Sequence, residues 1–299
     1  MYLQHFGMRS LPFSLTPNTE FFFGLPPHVE ALQVLQVALQ TGEGFIKVTG
    51  EVGTGKTLLC RKLLNELSAE FVCAWLPDPY LTPAELRAAV AQELGVSLES
   101  VRDQQHLSGL IQQRLLELCA QHKKIVLLLD EAQALPDDTL EALRLFTNLE
   151  TEQRKLVQVV LFGQPELDQR LSQSNFRQLR QRITFSYQLR PLHDTEVGAY
   201  IRHRLAVCGY QGAPIFNDAA VKLLAKASRG IPRLINVLAH KALLLSYGAG
   251  MASVTLSQLR AAVADTEDAT PVATHRWLWT GSLLLVLLVA AGVLKGVAW

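Results

Sequence analysis

Short β-branched and apolar runs alternate along the first two thirds of the chain with segments whose apolar residues recur every three or four positions. The run Lys124-Ile125-Val126-Leu127-Leu128-Leu129 is apolar at every position after its lysine, and residues 156–162 repeat the pattern. Unbroken apolarity over one strand length fits a central parallel strand covered on both faces. Residues 44–49, 71–76 and 183–189 read as three further strands. Between them lie helical patterns. One opens on Pro26-Pro27 and runs to about Gln40 with Val29, Leu32, Leu35 and Leu39 on one face. Others cover 58–64, 83–95 behind the capping box Thr82-Pro83-Ala84-Glu85, and 104–121. Strands alternating with helices imply an α/β fold, a parallel sheet flanked by helices.

Beyond Leu189-Arg190-Pro191-Leu192 the strand signal stops. Residues 194–207, 217–228, 232–247 and 255–264 all read as helices, with Asn217 and Thr255 as N-caps. The expected organisation is therefore an aromatic strap over 1–25, a nucleotide-binding α/β domain over 26–190, and a helical lid domain over 191–264. A polar linker over 265–276 and an apolar segment over 277–298 follow. The strap holds Phe6, Phe13, Phe21, Phe22 and Phe23, five of the twelve phenylalanines, while Pro12 and Pro17 disfavour a regular helix. Its rings can pin it to the core, and the same strap can wall a base pocket.

Composition adds one expectation and removes others. The chain is 49% hydrophobic with a mean hydropathy of +0.17, and residues 277–294 carry no charge. That length reaches the lower limit for a hydrocarbon core of ~30 Å. Trp277, Trp279 and Trp299 flank the segment, and Lys295 can snorkel. The expectation is a single-pass transmembrane helix with residues 1–276 cytoplasmic, the side where ATP is found. No signal-peptide core is visible in residues 1–10. The net charge of +1 gives no global basicity to recruit nucleic acid. Cys60, Cys73, Cys119 and Cys208 are scattered without a C-x-x-C pair, which favours reduced thiols over zinc or disulfides.

The chemistry concentrates in Gly50-Glu51-Val52-Gly53-Thr54-Gly55-Lys56-Thr57, which fits G-x-x-x-x-G-K-[ST] between a strand and a helix that begins with Leu58. Glycines there let successive N–H groups converge on one phosphate, and the helix N-terminus adds positive potential. Lys56 would reach the terminal phosphates of ATP, and the Thr57 hydroxyl would ligate Mg²⁺. Asp130-Glu131 ends the apolar strand in the manner of a Walker B pair: Asp130 for the Mg²⁺ shell, Glu131 as general base. Gln164, in Phe162-Gly163-Gln164-Pro165, ends the adjacent strand where it could orient water, or it bonds its own backbone. Arg177, Arg180 and Arg182 form a solvated helix face, a patch for an acidic partner or, in an oligomeric ATPase, the source of an arginine finger, Arg180 or Arg182, for a neighbouring subunit. In Gly230-Ile231-Pro232-Arg233, an arginine at a helix N-terminus gains nothing from the dipole, so a nucleotide-sensing role is expected for Arg233.

Taken together, the phosphate loop, Asp130-Glu131-Ala132-Gln133, the Gly-Gln-Pro-Glu-Leu stretch at 163–167, Leu-Arg-Gln-Arg at 179–182 and Gly-Ile-Pro-Arg at 230–233 resemble the ExeA/GspA branch of AAA+ ATPases. The opening Phe6-Gly7-Met8, Pro12-Phe13, Leu15-Thr16-Pro17 and Phe21-Phe22 is similar to that branch as well, so the resemblance covers about 1–265. It implies a nucleotide pocket between the α/β and helical domains, assembly into homo-oligomers, and ATP-driven remodelling, with the apolar segment in a bacterial inner membrane. It further implies Gln164 as first sensor, Arg180 or Arg182 as finger, and Arg233 as second sensor. The chain stops a few residues after its apolar segment, whereas branch members of the secretion pathway continue into a peptidoglycan-binding region. Direct peptidoglycan binding is therefore not expected, and the shorter layout resembles the ATPases of mannose-sensitive haemagglutinin (MSHA) type IV pilus biogenesis. The leading expectation is an ATPase serving pilus or secretion assembly proteins. A TniB-like transposition helper acting on DNA and a nucleotide-gated scaffold with negligible turnover are the alternatives.

Overall fold

The computed structural model describes residues 2–99, 101–147 and 155–271. Five parallel strands form one sheet: β1 (Phe45–Gly50), β2 (Phe71–Leu76), β3 (Lys124–Leu129), β4 (Val157–Gly163) and β5 (Ile183–Leu189). Their order is β2-β3-β4-β1-β5. The strand carrying the phosphate loop therefore sits between β4 and β5, paired continuously with β4 and, with a register shift between Phe45 and Ile46, with β5. Every residue of β4 is buried, as is every residue of β3 after Lys124, which is what their unbroken apolar runs require. At the edge, β5 alternates instead: Thr184, Ser186 and Gln188 are exposed between half-buried Ile183, Phe185 and Tyr187.

The helices, in chain order, are α1 (Tyr2–Phe6), α2 (Pro26–Thr41), α3 (Lys56–Glu66), α4 (Pro83–Glu93), α5 (Gln104–Ala120), α6 (Asp137–Phe146), α7 (Pro165–Leu171) and α8 (Arg177–Arg180). Then come α9 (Asp194–Val207), α10 (Asp218–Ser228), α11 (Pro232–Gly248) and α12 (Leu256–Ala264). Helices α2 and α3 cover one face of the sheet, where Leu35, Leu39, Leu59 and Leu63 pack against Ile46, Val48, Val126 and Val160. On the other face α4, α5 and α6 contribute Leu86, Ile111, Leu115 and Leu140 against Phe45, Leu127 and Val159. The expected caps form: Thr82 and Glu85 make the capping box of α4, and Asn217 and Thr255 cap α10 and α12.

Helices α9 to α12 pack into a core of their own, and the N-terminal strap belongs to it. Tyr2, Phe6, Met8, Phe13 and Phe21 are buried among Val197, Leu224, Ile235 and Leu238. The strap begins with the short helix α1, which lies before Pro12. Its phenylalanine run divides between the two halves of the molecule: Phe21 and Phe23 join the helical core, whereas Phe22 packs on the sheet side. Residues 265–271 also lie against the helices, with Ala269 buried and the Thr270 N–H donating to Ala227 O at 2.9 Å.

The inner-membrane placement expected from the sequence is corrected. No helix among the described residues is long and apolar enough to cross a membrane. Helices α5 and α11 have 17 residues each and interrupt their apolar positions with Gln, Arg, His, Lys or Asn, whereas a span needs about 20 predominantly apolar ones. The segment 277–298 that prompted the expectation lies outside the described residues.

Candidate nucleotide-binding site

The phosphate loop, Asp130, Glu131 and Gln164 gather at the carboxyl ends of the strands, where open α/β sheets bind ligands. Leaving β1, the loop over 50–57 turns through Gly53 (φ +83°) and Gly55 (φ +103°), a backbone region that L side chains rarely adopt. A Cβ on Gly55 would stand 2.9 Å from Nε2 of His28, and that imidazole bonds the Thr54 carbonyl at 3.0 Å. Burial holds His28 below the usual imidazole range, against the opposing pull of the Thr54 bond. It is therefore the neutral ring whose Nε2–H donates. Inside the loop, Thr54 Oγ1 donates to Glu51 O at 2.8 Å, while Glu51 and Val52 themselves are exposed.

Helix α3 starts at Lys56. Lys56 is 4% exposed, and its ammonium donates to Gly50 O at 2.8 Å and Glu51 O at 3.1 Å. Burial lowers its pKa, and the carboxylates of Glu131 and Asp130 oppose that. Thr57 Oγ1 donates to Asp130 Oδ2 at 2.7 Å, and the Glu131 N–H donates to Asp130 Oδ1 at 3.0 Å. Burial pushes the Asp130 carboxyl above its ordinary value in spite of these donors.

Glu131 follows with φ +50°, a left-handed conformation that costs a non-glycine residue of order 1–2 kcal/mol. Its Oε2 accepts from Gln133 Nε2 at 2.7 Å and from Gln164 Nε2 at 2.9 Å. Burial raises the carboxyl, but the two amides and the Lys56 charge outweigh it and hold Glu131 below the usual range. Gln133 also accepts the Gln164 N–H on Oε1 at 2.9 Å. One side chain thus ties the end of β3 to the end of β4.

From the helical side, the Arg233 N–H donates to Gly53 O at 3.1 Å, so the start of α11 rests on the phosphate loop. A cavity of about 290 Å³ opens between them. Val52, Gly53, Gly55, Lys56, Thr57, Leu58 and Glu131 line one side, and Tyr200, Arg204, Pro232, Arg233 and Asn236 the other. Strap residues Ser14, Leu15, Thr16, Pro17 and Asn18 form the third wall.

Arg180 and Arg182 do not join this group. Arg182 is held by Thr147 Oγ1 at 2.8 Å and lies next to Arg144 O. The Arg180 side chain is exposed, with one contact of 3.3 Å to Ser172 O, and Arg177 is exposed too. Sequence reasoning missed His28, Gln133, Tyr200, Arg204 and Asn236 as parts of the site. Gln133 had a signal, standing two residues after Glu131 at a strand end.

The donor set fits ATP and Mg²⁺. The two positive-φ glycines remove the Cβ atom at two turns of the loop, Lys56 is a buried cation, and the Thr57 hydroxyl and Asp130 carboxylate are hard oxygen donors. No group of three or more His, Cys, Asp or Glu residues able to hold a metal occurs among the described residues. Magnesium beside phosphates needs only one or two protein oxygens, because phosphate and water supply the rest.

Residues 39–171 match the family model for the AAA domain. General secretion pathway protein A of Aeromonas hydrophila is 41% identical over all 299 residues. The chain spans about half, 53%, of that relative's length. Among solved structures, Cdc6p of Pyrobaculum aerophilum superposes with a TM-score of 0.65 at 18% identity, covering 85% of this chain and 70% of that one. The Aeropyrum pernix ORC2 protein, in its ADPNP–ADP complexes, gives 0.61 at 15% identity over 88% and 74%. At such identities these two show the fold alone, and together with the AAA domain match the fold is a P-loop AAA+ α/β fold with a parallel sheet.

Proposed function

Starting from an AAA domain over residues 39–171 and a relative that supports the ExeA/GspA branch, we propose that this chain is a Mg²⁺-dependent ATPase of the general secretion pathway protein A type. Its work would be remodelling of secretion or pilus assembly proteins. The observation that carries the reading is the group around one cavity: buried Lys56, Thr57 bonded to Asp130 at 2.7 Å, and Glu131 held ionised by two amides.

The residues take these roles. Gly50, Gly53 and Gly55 shape the loop so that its backbone N–H groups cradle the phosphates, Glu51, Val52, Thr54 and Leu58 complete the loop, and Lys56 neutralises the terminal phosphates. Thr57 and Asp130 would hold Mg²⁺, which when bound offsets phosphate charge. Glu131 takes the proton of the attacking water. Gln164 and Gln133 fix that carboxylate, with Gln164 as the first sensor. Arg233, whose backbone is already bonded to Gly53, links helices α9 to α12 to the nucleotide, and those helices act as the lid. In a homo-oligomer, Arg180 supplies the finger to a neighbour's phosphate. Arg182 is the weaker choice because Thr147 already engages it.

Two substitutions test the chemistry. Lys56→Ala should abolish binding of ATP, and Glu131→Gln should keep binding while hydrolysis falls by about 10²–10⁴. Hydrolysis by Glu131→Gln at the wild-type rate would overturn the base assignment. Proteins captured by Glu131→Gln in the presence of ATP would name the system served. Secretion components, MSHA-type pilus components and transposase with DNA are the distinguishable outcomes, the last of which refutes the assembly role.

A further inference from the structure

Residues 12–18 of the strap are suspended between two arginines that come from opposite halves of the molecule. On the helical side, Arg204 of α9 donates through Nε to Pro12 O at 2.5 Å and through Nη2 to Ser14 O at 3.0 Å. Its guanidinium carbon lies 4.2 Å from the Phe21 ring centroid and 5.9 Å from that of Tyr200. Arg204 is 5% exposed, and no carboxylate pairs with it among the described residues. On the sheet side, Arg61 of α3 donates through Nη1 to Pro17 O at 2.7 Å. Between these two points the chain forms the third wall of the cavity. Neither arginine belongs to the phosphate loop or to the group around Glu131.

A buried guanidinium without a counter-ion is costly unless its donors are used. Here they are used on main-chain carbonyls of a segment that has no strand or helix to order it. Residues 12–18 form neither strand nor helix, and the carbonyls of Pro12, Ser14 and Pro17 are held by these guanidinium donors. With the phosphates assigned to the loop over 50–57, the strap wall of the same cavity is left for the nucleoside end of the ligand.

We propose that Arg204 and Arg61 are positioning residues that hold residues 12–18 as the wall receiving the base and ribose of the nucleotide. The inference rests on the ATPase reading above and assigns its nucleoside recognition to a strap braced from both halves of the molecule. Each arginine therefore acts on the nucleoside and leaves the phosphates to the loop. Because one short segment joins the two clasps, they act as a unit.

The test is calorimetric titration of the full chain with Mg²⁺ and either AMPPNP or inorganic tripolyphosphate, for wild type, Arg204→Ala, Arg204→Lys, Arg61→Ala and the double alanine variant. Hydrogen bonds from a charged group suggest AMPPNP binding about tenfold weaker for each alanine variant, with tripolyphosphate affinity unchanged. Arg204→Lys, able to engage one carbonyl, should recover part of the loss, and the double variant should lose less than the two single losses combined. Equal weakening of AMPPNP and tripolyphosphate would mark general damage and overturn the proposal. So would unchanged AMPPNP binding by Arg61→Ala. Should Arg204→Ala fail to fold, Arg61→Ala carries the test, since Arg61 is only half-buried and gives one of the three clasp bonds. Wild-type protein that takes tripolyphosphate but not AMPPNP would refute the wall and spare the phosphate loop. Binding of neither would refute the nucleotide reading itself.

Discussion

Gly53→Ala asks whether the helical half of the molecule rests on the phosphate loop. Gly53 has φ +83°, and a Cβ built on it stands 2.5 Å from Arg233 Cβ and 3.2 Å from Ile231 Cγ2. Two costs follow. The left-handed conformation strains an alanine by about 1–2 kcal/mol. The methyl also forces α11 away from the loop, and the Arg233 N–H bond to Gly53 O, 3.1 Å long, is lost for about 0.5–1.5 kcal/mol. Gly95→Ala carries the first cost alone, because Gly95 has φ +77° with nothing within 4 Å of its Cβ. A chain of this size unfolds with an entropy of roughly 0.5 kcal/mol per degree. Gly95→Ala should therefore melt ~2–4 °C below wild type, and Gly53→Ala a further ~1–3 °C lower. Differential scanning calorimetry of nucleotide-free protein reads both. Equal melting of the two variants would refute the seating of α11 on the loop, and with it the structural basis for a lid that responds to nucleotide.

Other measurements reach other parts of the site. Gln133 and Gln164 hold the Glu131 carboxyl low by donating to its charged form, so Gln133→Leu or Gln164→Leu should raise that pKa. The base must be ionised to act, so the acid limb of the pH–rate profile should move to higher pH; an unmoved limb would remove either Glu131 as base or the amides as its partners. Arg180→Ala should lower ATP turnover by about 10³ or more if the finger acts across subunits, with the loss absent from nucleotide affinity. Arg182→Ala, which breaks the bond to Thr147, should instead cost about 1 kcal/mol in thermal stability. Burial pushes the Cys73 thiol up to about 11 and raises Cys60 and Cys208 as well. At pH 8 an aromatic disulfide should modify Cys73 about a hundredfold more slowly than a free thiol, and Cys60, 0% exposed, only after unfolding.

The parts of the molecule that could be read from the sequence share a physical property: their partners are close along the chain or their environment is uniform. β3 and β4 announce themselves because both faces are covered and every position must be apolar. The phosphate loop is legible because one anion, bound by consecutive N–H groups, fixes glycines, lysine and threonine at set spacings. The caps of α4, α10 and α12 are three-residue affairs. Illegible residues are those whose meaning lies at a distance. His28 reads as one polar position in an apolar helical stripe, yet its partner is Thr54, 26 residues on. Arg204 reads as a charge in a helix, and the carbonyl it serves belongs to Pro12, 192 residues away. The run Phe21-Phe22-Phe23 declares burial but not direction, because only the assembled halves decide that Phe21 and Phe23 face the helices while Phe22 faces the sheet. A motif therefore records the groups that touch the phosphates, whereas the orientation of those groups is delegated to side chains that local spacing cannot reveal. For this chain the consequence is concrete. The loop would fix phosphate affinity, whereas the remote contacts made by Arg204, Arg61, His28 and Gln133 would decide which nucleoside fits and whether Glu131 is aimed.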